Sequence, residues 1–239
     1  MAGKACLWSW RGIFPLLLLL LVAGGCSRIP KIIVLEDPLT AAEHVDLGVA
    51  YERKGELDLA QREYERALLK DRKLFRARLN LGNIFLAKKE YGKARGEYLR
   101  ALELRPGDAD ATNNLSWAAI FSGEGIDDAL ARMESVVSAP LATPIGGTPP
   151  ARSSKWGGPG GRSATLLDTL GVLRMNANRP GPAEEAFAQA EKLCREATVA
   201  PKEGLKEDAP CPAEVLKEIE DHRKELRRRF PSLPSSPAK

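Results

Sequence analysis

The chain has 239 residues, enough for one domain or two small ones with a sizeable core. Apolar residues make up 44% and charged residues 28%, ordinary for a globular protein, while aromatics are only 6%. The net charge of +4 argues against a strongly basic nucleic-acid binder and against an acidic solvating tail, and two histidines with four cysteines leave few metal ligands.

Residues 1–25 differ from the rest. Lys4 and Arg11 give a positive start with no acid, and Ile13 to Ala23 is an apolar run interrupted by Pro15. That run is too short for a membrane-crossing helix, which needs about 20 apolar residues. A basic start, a short apolar centre and small residues after it predict a signal peptide. The small residues end at a cysteine, Val22-Ala23-Gly24-Gly25-Cys26. This resembles the lipobox of bacterial lipoproteins, with Ala23 where that pattern prefers Leu. The resemblance implies cleavage before Cys26, acylation of its sulfur and anchoring to a membrane by several acyl chains. Ser27 stands where an Asp favours inner-membrane retention, so the same resemblance implies the outer membrane, facing the periplasm. Residues 26–40 then form a membrane-proximal linker.

A repeat of 34 residues follows. Leu47-Gly48, Tyr51, Ala60, Tyr64 and Ala67 recur as Leu81-Gly82, Phe85, Ala94, Tyr98 and Ala101, before Pro106. The spacings of 3 and 4 predict amphipathic helices, two per repeat, joined by short turns at Gly55-Glu56 and Lys89-Glu90. Small residues at Gly48, Gly82, Ala60 and Ala94 predict close helix crossings, with Tyr64 and Tyr98 filling the gap to the next repeat. These residues resemble the tetratricopeptide repeat, or TPR. The resemblance implies an all-α solenoid of helix-turn-helix units, with two clear repeats at 41–74 and 75–108. A degenerate third repeat begins at Ala109, with Asp108 or Asp110 as its helix N-cap and Leu115, Ser116 and Ala119 at the signature positions. Its second helix slips by one residue after Gly123-Glu124-Gly125, so repeats one to three span 41–139.

Between Pro140 and Gly161, 11 of 22 residues are Pro or Gly, which predicts a loop over 140–163 with no helix or strand. A fourth repeat over 164–197 carries Leu170-Gly171, Ala183, Phe187 and Ala190, with Arg174 in the usual aromatic position. Residues 198–211 read as a linker. Residues 212–230 then form a charged helix with the stripe Val215, Ile219, His222 and Leu226, suited to the polar cap a solenoid needs. The tail 231–239, with three prolines, reads as disordered. With Cys6 in the leader and Cys26 acylated, Cys194 and Cys211 remain as an even pair in an oxidising compartment. A bond between them would staple the cap to repeat four and contribute about 3 kcal/mol through loop entropy; the alternative is two free thiols.

Chemical motifs are weak. Gly157 to Ser163 lacks the spacing and the lysine of a phosphate loop. Asp108-Ala109-Asp110 lacks the central Gly and terminal Glu of a calcium loop. His44 and His222 are far apart, with no zinc motif; His44 is expected to be a surface or groove residue. No nucleophile elbow occurs. Neither cofactor, metal nor nucleic acid is expected, and the chain reads as a non-enzyme.

In TPR proteins the first helix of each repeat, helix A, lines a concave groove. The resemblance therefore places Val49, Arg76, Leu79, Asn80, Asn83, Asp110, Asn113, Asn114, Trp117 and Phe121 toward it. Arg76, Asn80, Asn83, Asn113, Asn114 and Trp117 are the candidate groove residues for a protein or extended peptide, since amides donate and accept and Trp and Arg anchor interfaces. Asn114 and Trp117 could instead pack against repeat four. The carboxylate clamp of chaperone-binding TPRs is excluded, because Leu79, Thr165 and Thr169 occupy its basic positions. The chain looks like TPR lipoproteins that support type IV pilus secretin assembly, and also like those of polysaccharide export. An enzyme accessory subunit is the remaining alternative.

Overall fold

The computed structural model describes residues 37–138, 159–199 and 211–233. The expected signal peptide, the Cys26 site, most of the loop and linker, and the last residues lie outside that set. The helices of the described residues fall in the second of two compact units, Leu39–Lys239.

Among the described residues there are nine α-helices and no strand: α1 Ala41–Arg53, α2 Leu57–Lys70, α3 Phe75–Ala87, α4 Tyr91–Leu104, α5 Ala109–Ser122, α6 Ile126–Ser138, α7 Pro159–Asn176, α8 Pro180–Val199 and α9 Ala213–Arg229. Helices pair in sequence, α1 with α2, α3 with α4, α5 with α6 and α7 with α8; each pair packs on the next, and α9 packs on α8 and α7. The first pair starts at a capping box: Thr40 Oγ1 accepts from the Glu43 amide at 3.2 Å, and the Glu43 carboxylate accepts from the Thr40 amide at 2.7 Å. At α5 the N-cap is Asp108, accepting from the Ala111 amide at 2.9 Å.

The repeat is visible in backbone and packing alike. Within each pair the turn holds one left-handed residue at the same template position: Gly55 (φ 78°), Lys89 (φ 61°), Gly123 (φ 71°) and Asn178 (φ 58°). Gly125, also left-handed at φ 70°, accommodates the extra residue of the third turn. Helix crossings repeat as closely. A Cβ on Gly48 would lie 2.5 Å from Tyr64 Cε1, on Gly82 2.5 Å from Tyr98 Cε1, and on Gly171 2.5 Å from Phe187 Cε1. The sequence predicts the aromatic ring in the gap to the next repeat; it instead fills the crossing inside its own repeat. The third repeat breaks both halves of this contact together, with buried Ser116 and Met133 in the two positions.

The core runs the length of the solenoid as two clusters that meet on α5. Ala118 belongs to the one built from α1 to α5, and Ala119 to the one built from α5 to α9.

Two elements and one residue depart from expectation. Helix α7 begins at Pro159, inside the segment expected to be loop; proline is compatible with a first helical turn because its missing N–H needs no partner there. Helix α8 continues to Val199, two residues into the expected linker. His44 is 1% exposed, not a surface or groove residue. Its Nδ1 lies 2.7 Å from Glu63 Oε2, and Glu63 also accepts from Arg66 at 2.8 Å. One period later Arg78 donates to Glu97 at 2.8 Å, and Arg100 bonds the same carboxylate. A base on helix A and a buried acid on helix B therefore replace an apolar contact in repeats one and two. Two bases per acid offset the cost of burying it.

Candidate functional site: the helix A face

Helices α1, α3, α5 and α7 stand side by side, and their side chains link one repeat to the next. Arg76 on α3 donates to Asp46 on α1 at 3.2 Å, both side chains exposed. Asn83 Oδ1 on α3 accepts from Asn114 Nδ2 on α5 at 2.9 Å and from the Tyr98 hydroxyl at 2.9 Å. Asn113 Oδ1 on α5 accepts from Thr169 Oγ1 on α7 at 2.8 Å. Tyr64 donates to Glu52 at 2.8 Å. Burial, with the Glu52 carboxylate beside it, pushes the Tyr64 hydroxyl pKa up, and burial does the same to Tyr98. Both phenols stay protonated and act as donors.

The structure brings the candidate residues together, but largely onto one another. Asn114 reaches back to repeat two rather than forward to repeat four. Asn83, Asn113 and Asn114 each commit one amide function to a neighbouring helix. Asn80 is half-buried. The ladder holds the repeats in register while part of each amide remains available.

Beyond the ladder lies an aromatic row. Trp117 and Phe121 stack with ring centres 5.6 Å apart, and Tyr91, at the start of α4, is 5.3 Å from Phe121. Phe121 is 53% exposed. Trp117 is half-buried against the core and lies 6.3 Å from the ring of His222 on α9. Helix positions 117 and 121 follow from the four-residue spacing on α5. Tyr91 comes from a second helix and carries no sequence signal of its own.

Helix α9 closes this face at the C-terminal end. Val215, Ile219 and Leu226 are buried, and His222 Nδ1 lies 2.9 and 3.0 Å from the two oxygens of Asp168 on α7. Burial pushes the His222 pKa down, but the hydrogen bond and charge of Asp168 outweigh it and hold the ring above the usual histidine value. Burial raises the Asp168 pKa against the pull of His222. Arg223, next on α9, bonds both Glu184 and Glu191 of α8. Cys194 on α8 is joined to Cys211, two residues before α9, by a disulfide with Cα atoms 5.1 Å apart. Asp168 was not among the sequence candidates. Its only signal is an acid at the template position held by Leu79 and Asn113 in the preceding repeats.

No group of histidine, cysteine, aspartate or glutamate side chains among the described residues could hold a metal ion. The same residues include no helix long and apolar enough to cross a membrane.

Residues 45–109 match the tetratricopeptide repeat family. No curated protein sequence matches the chain. Among solved structures, PilF of Pseudomonas aeruginosa is similar at TM-score 0.54 and 19% identity, covering 80% of this chain and 71% of that one. PilW, described as a widely conserved type IV pilus biogenesis factor, is similar at TM-score 0.51 and 18% identity, covering 81% and 79%. YrrB, described as a TPR protein with an unusual peptide-binding site, is similar at TM-score 0.51 and 17% identity, covering 81% and 92%. The 34-residue period, the glycine–aromatic crossings and these matches together show an α-solenoid of tetratricopeptide-type repeats, with residues 45–109 matching that family and the fold similar to that of PilF and PilW.

Proposed function

We propose that this protein is a lipid-anchored adaptor of the bacterial cell envelope, held on the periplasmic face of the outer membrane through Cys26, and that its helix A face captures a partner protein during assembly of a pilus secretin. The observation that carries the capture reading is the row Tyr91–Phe121–Trp117, exposed at Phe121 and half-buried at its two ends, beside the partly committed amides of Asn83 and Asn114. Aromatic rings supply contact area at low conformational cost, and amides fix the orientation of a bound chain. The Val22-to-Cys26 sequence supports the anchor. Fold similarity to PilW favours pilus assembly over polysaccharide export. The mechanism is positional, not catalytic: anchoring raises the local concentration of the site, and a preformed solenoid lowers the ordering cost of binding.

Two measurements test the reading separately. The intact mass of membrane-fraction protein should begin at residue 26 with acyl chains, and Cys26→Ala should abolish both; an unmodified start elsewhere removes the anchor. Crosslinking in the envelope fraction should yield one dominant adduct that Phe121→Ala weakens severalfold while helicity is unchanged. An adduct indifferent to that substitution removes the groove.

A further inference from the structure

Three large apolar side chains are conspicuously exposed among the described residues, and two of them share one face of α2: Leu59 at 37% and Leu69 at 80%. Leu59, Arg62, Arg66 and Leu69 recur at spacings of 3, 4 and 3, which places them on one side of the helix. The opposite side carries the buried residues Ala60, Tyr64, Ala67 and Leu68. This outer face is therefore apolar and basic together. Lys70 ends the helix, and Arg72 and Lys73 extend the face past it, all exposed.

The acids nearby do little to neutralise it. Glu63 is buried and shared between His44 and Arg66, whose own side chain is still 56% exposed. Asp71 accepts from the Lys73 amide at 2.9 Å, and Glu65 accepts from Gln61 at 2.7 Å. Arg62, Arg66, Arg72 and Lys73 face solvent against Asp58, Glu65 and Asp71, and Asp58 is itself bonded by Lys88. No other repeat has this pattern: the positions in α4 equivalent to Leu59, Arg62, Arg66 and Leu69 are Lys93, Gly96, Arg100 and Glu103. The patch also lies where the chain runs into the solenoid, because Lys70 Nζ donates to the Leu39 carbonyl.

We propose that the outer face of α2 is a membrane-contact surface that lies on an anionic phospholipid bilayer, with Leu59 and Leu69 set among the acyl chains and Arg62, Arg66, Arg72 and Lys73 at the headgroups. Leucines flanked by arginines and lysines on one helix face are the chemistry of an interfacial helix, and each base near an anionic surface adds to its attraction. The contact needs neither the acyl chains on Cys26 nor a partner in the groove. It orients the solenoid with α2 against the bilayer.

The test is sedimentation of the full chain with phosphatidylcholine vesicles, with and without about 30% phosphatidylglycerol. Wild type is compared with Arg62→Glu/Lys73→Glu and with Leu69→Ser, so that any contribution of residues 1–25 is common to all. Phosphatidylglycerol-dependent binding should fall about tenfold in the charge-reversed protein and measurably in Leu69→Ser, with helicity unchanged. A Leu69→Trp variant should gain fluorescence quenching by brominated lipid over wild type. Binding that ignores phosphatidylglycerol, or variants that bind like wild type, overturns the proposal; so does Leu69→Trp that binds without added quenching. Binding to poly-L-glutamate in solution but not to the anionic vesicles overturns it in favour of an acidic protein partner.

Discussion

Gly82 has no room for a side chain. A Cβ there would stand 2.5 Å from the Tyr98 ring, itself fully buried. Gly82→Ala is expected to destabilise the protein by about 1–3 kcal/mol, because the ring and the helix crossing have to move apart. Chemical denaturation measures this. The third repeat points to the compensation, since Ser116 sits opposite Met133, an unbranched side chain that adapts its shape. Adding Tyr98→Met to Gly82→Ala should therefore cost less than the sum of the two single changes, a coupling that a double-mutant cycle reads directly. Lys89 shows the opposite case. It holds φ 61° at the turn position that Gly55 and Gly123 occupy in other repeats. Lys89→Gly should raise stability by less than about 1 kcal/mol, since relief of left-handed strain slightly exceeds the added flexibility of the unfolded chain. Both effects rest on positions that the repeat pattern marks. The His44–Glu63 and Arg78–Glu97 pairs were not marked, because no sequence spacing says that a base on one helix will meet an acid 19 residues later.

At the scale of elements, α9 is the one whose attachment depends on conditions. It is joined to α8 by the Cys194–Cys211 disulfide, to Glu184 and Glu191 through Arg223, and to Asp168 through His222. Cys211→Ser should lower stability by about 3 kcal/mol through lost loop constraint. The loss should concentrate in α9, seen as faster amide exchange over residues 213–229 before the repeats are affected. The His222 contact predicts a pH dependence. Its folded pKa lies above 6.5, so the protonated ring stabilises the folded state. That contribution is complete below the unfolded value and disappears as pH rises through the folded value. The melting-temperature difference between wild type and His222→Gln should therefore be largest in mild acid and shrink at alkaline pH. A difference that grows with pH would contradict the assignment. The hydrophobic stripe of α9 was legible as a 3–4 spacing, whereas its docking onto Asp168 and its approach to Trp117 were not. Those contacts unite residues 54 and more positions apart, brought together only when α7 and α9 pack.

For the whole molecule, two surfaces divide the work proposed for it. The helix A face offers aromatic rings and amides to a protein partner, and the outer face of α2 offers leucines among arginines and lysines to a bilayer. The two are on different helices and opposite in chemistry. Phe121→Ala should weaken partner crosslinking severalfold with little change in melting temperature, because the side chain is half in solvent and its loss leaves no cavity in the core. Phosphatidylglycerol-dependent vesicle binding should be unaffected by the same substitution. If both properties fall together, the surfaces are not independent and the partner and membrane contacts share one site.

The four helical repeats and their turns could be read from periodicity, because each depends on residues within 34 positions of one another and recurs; the glycines marked close crossings, but which ring fills them was decided by packing. The glycine-rich approach to α7 misled that reading, since a high density of glycine and proline argues against a helix while a proline at its first turn does not prevent one. The helix A face was legible as a set of residues but not as a set of bonds. Which amide meets which depends on how far one repeat rotates on the next, and that rotation is fixed by side-chain packing between helices. It is why Asn83 binds Asn114, why Asn113 binds Thr169, and why Trp117 ends beside the histidine of a helix about a hundred residues further along the chain.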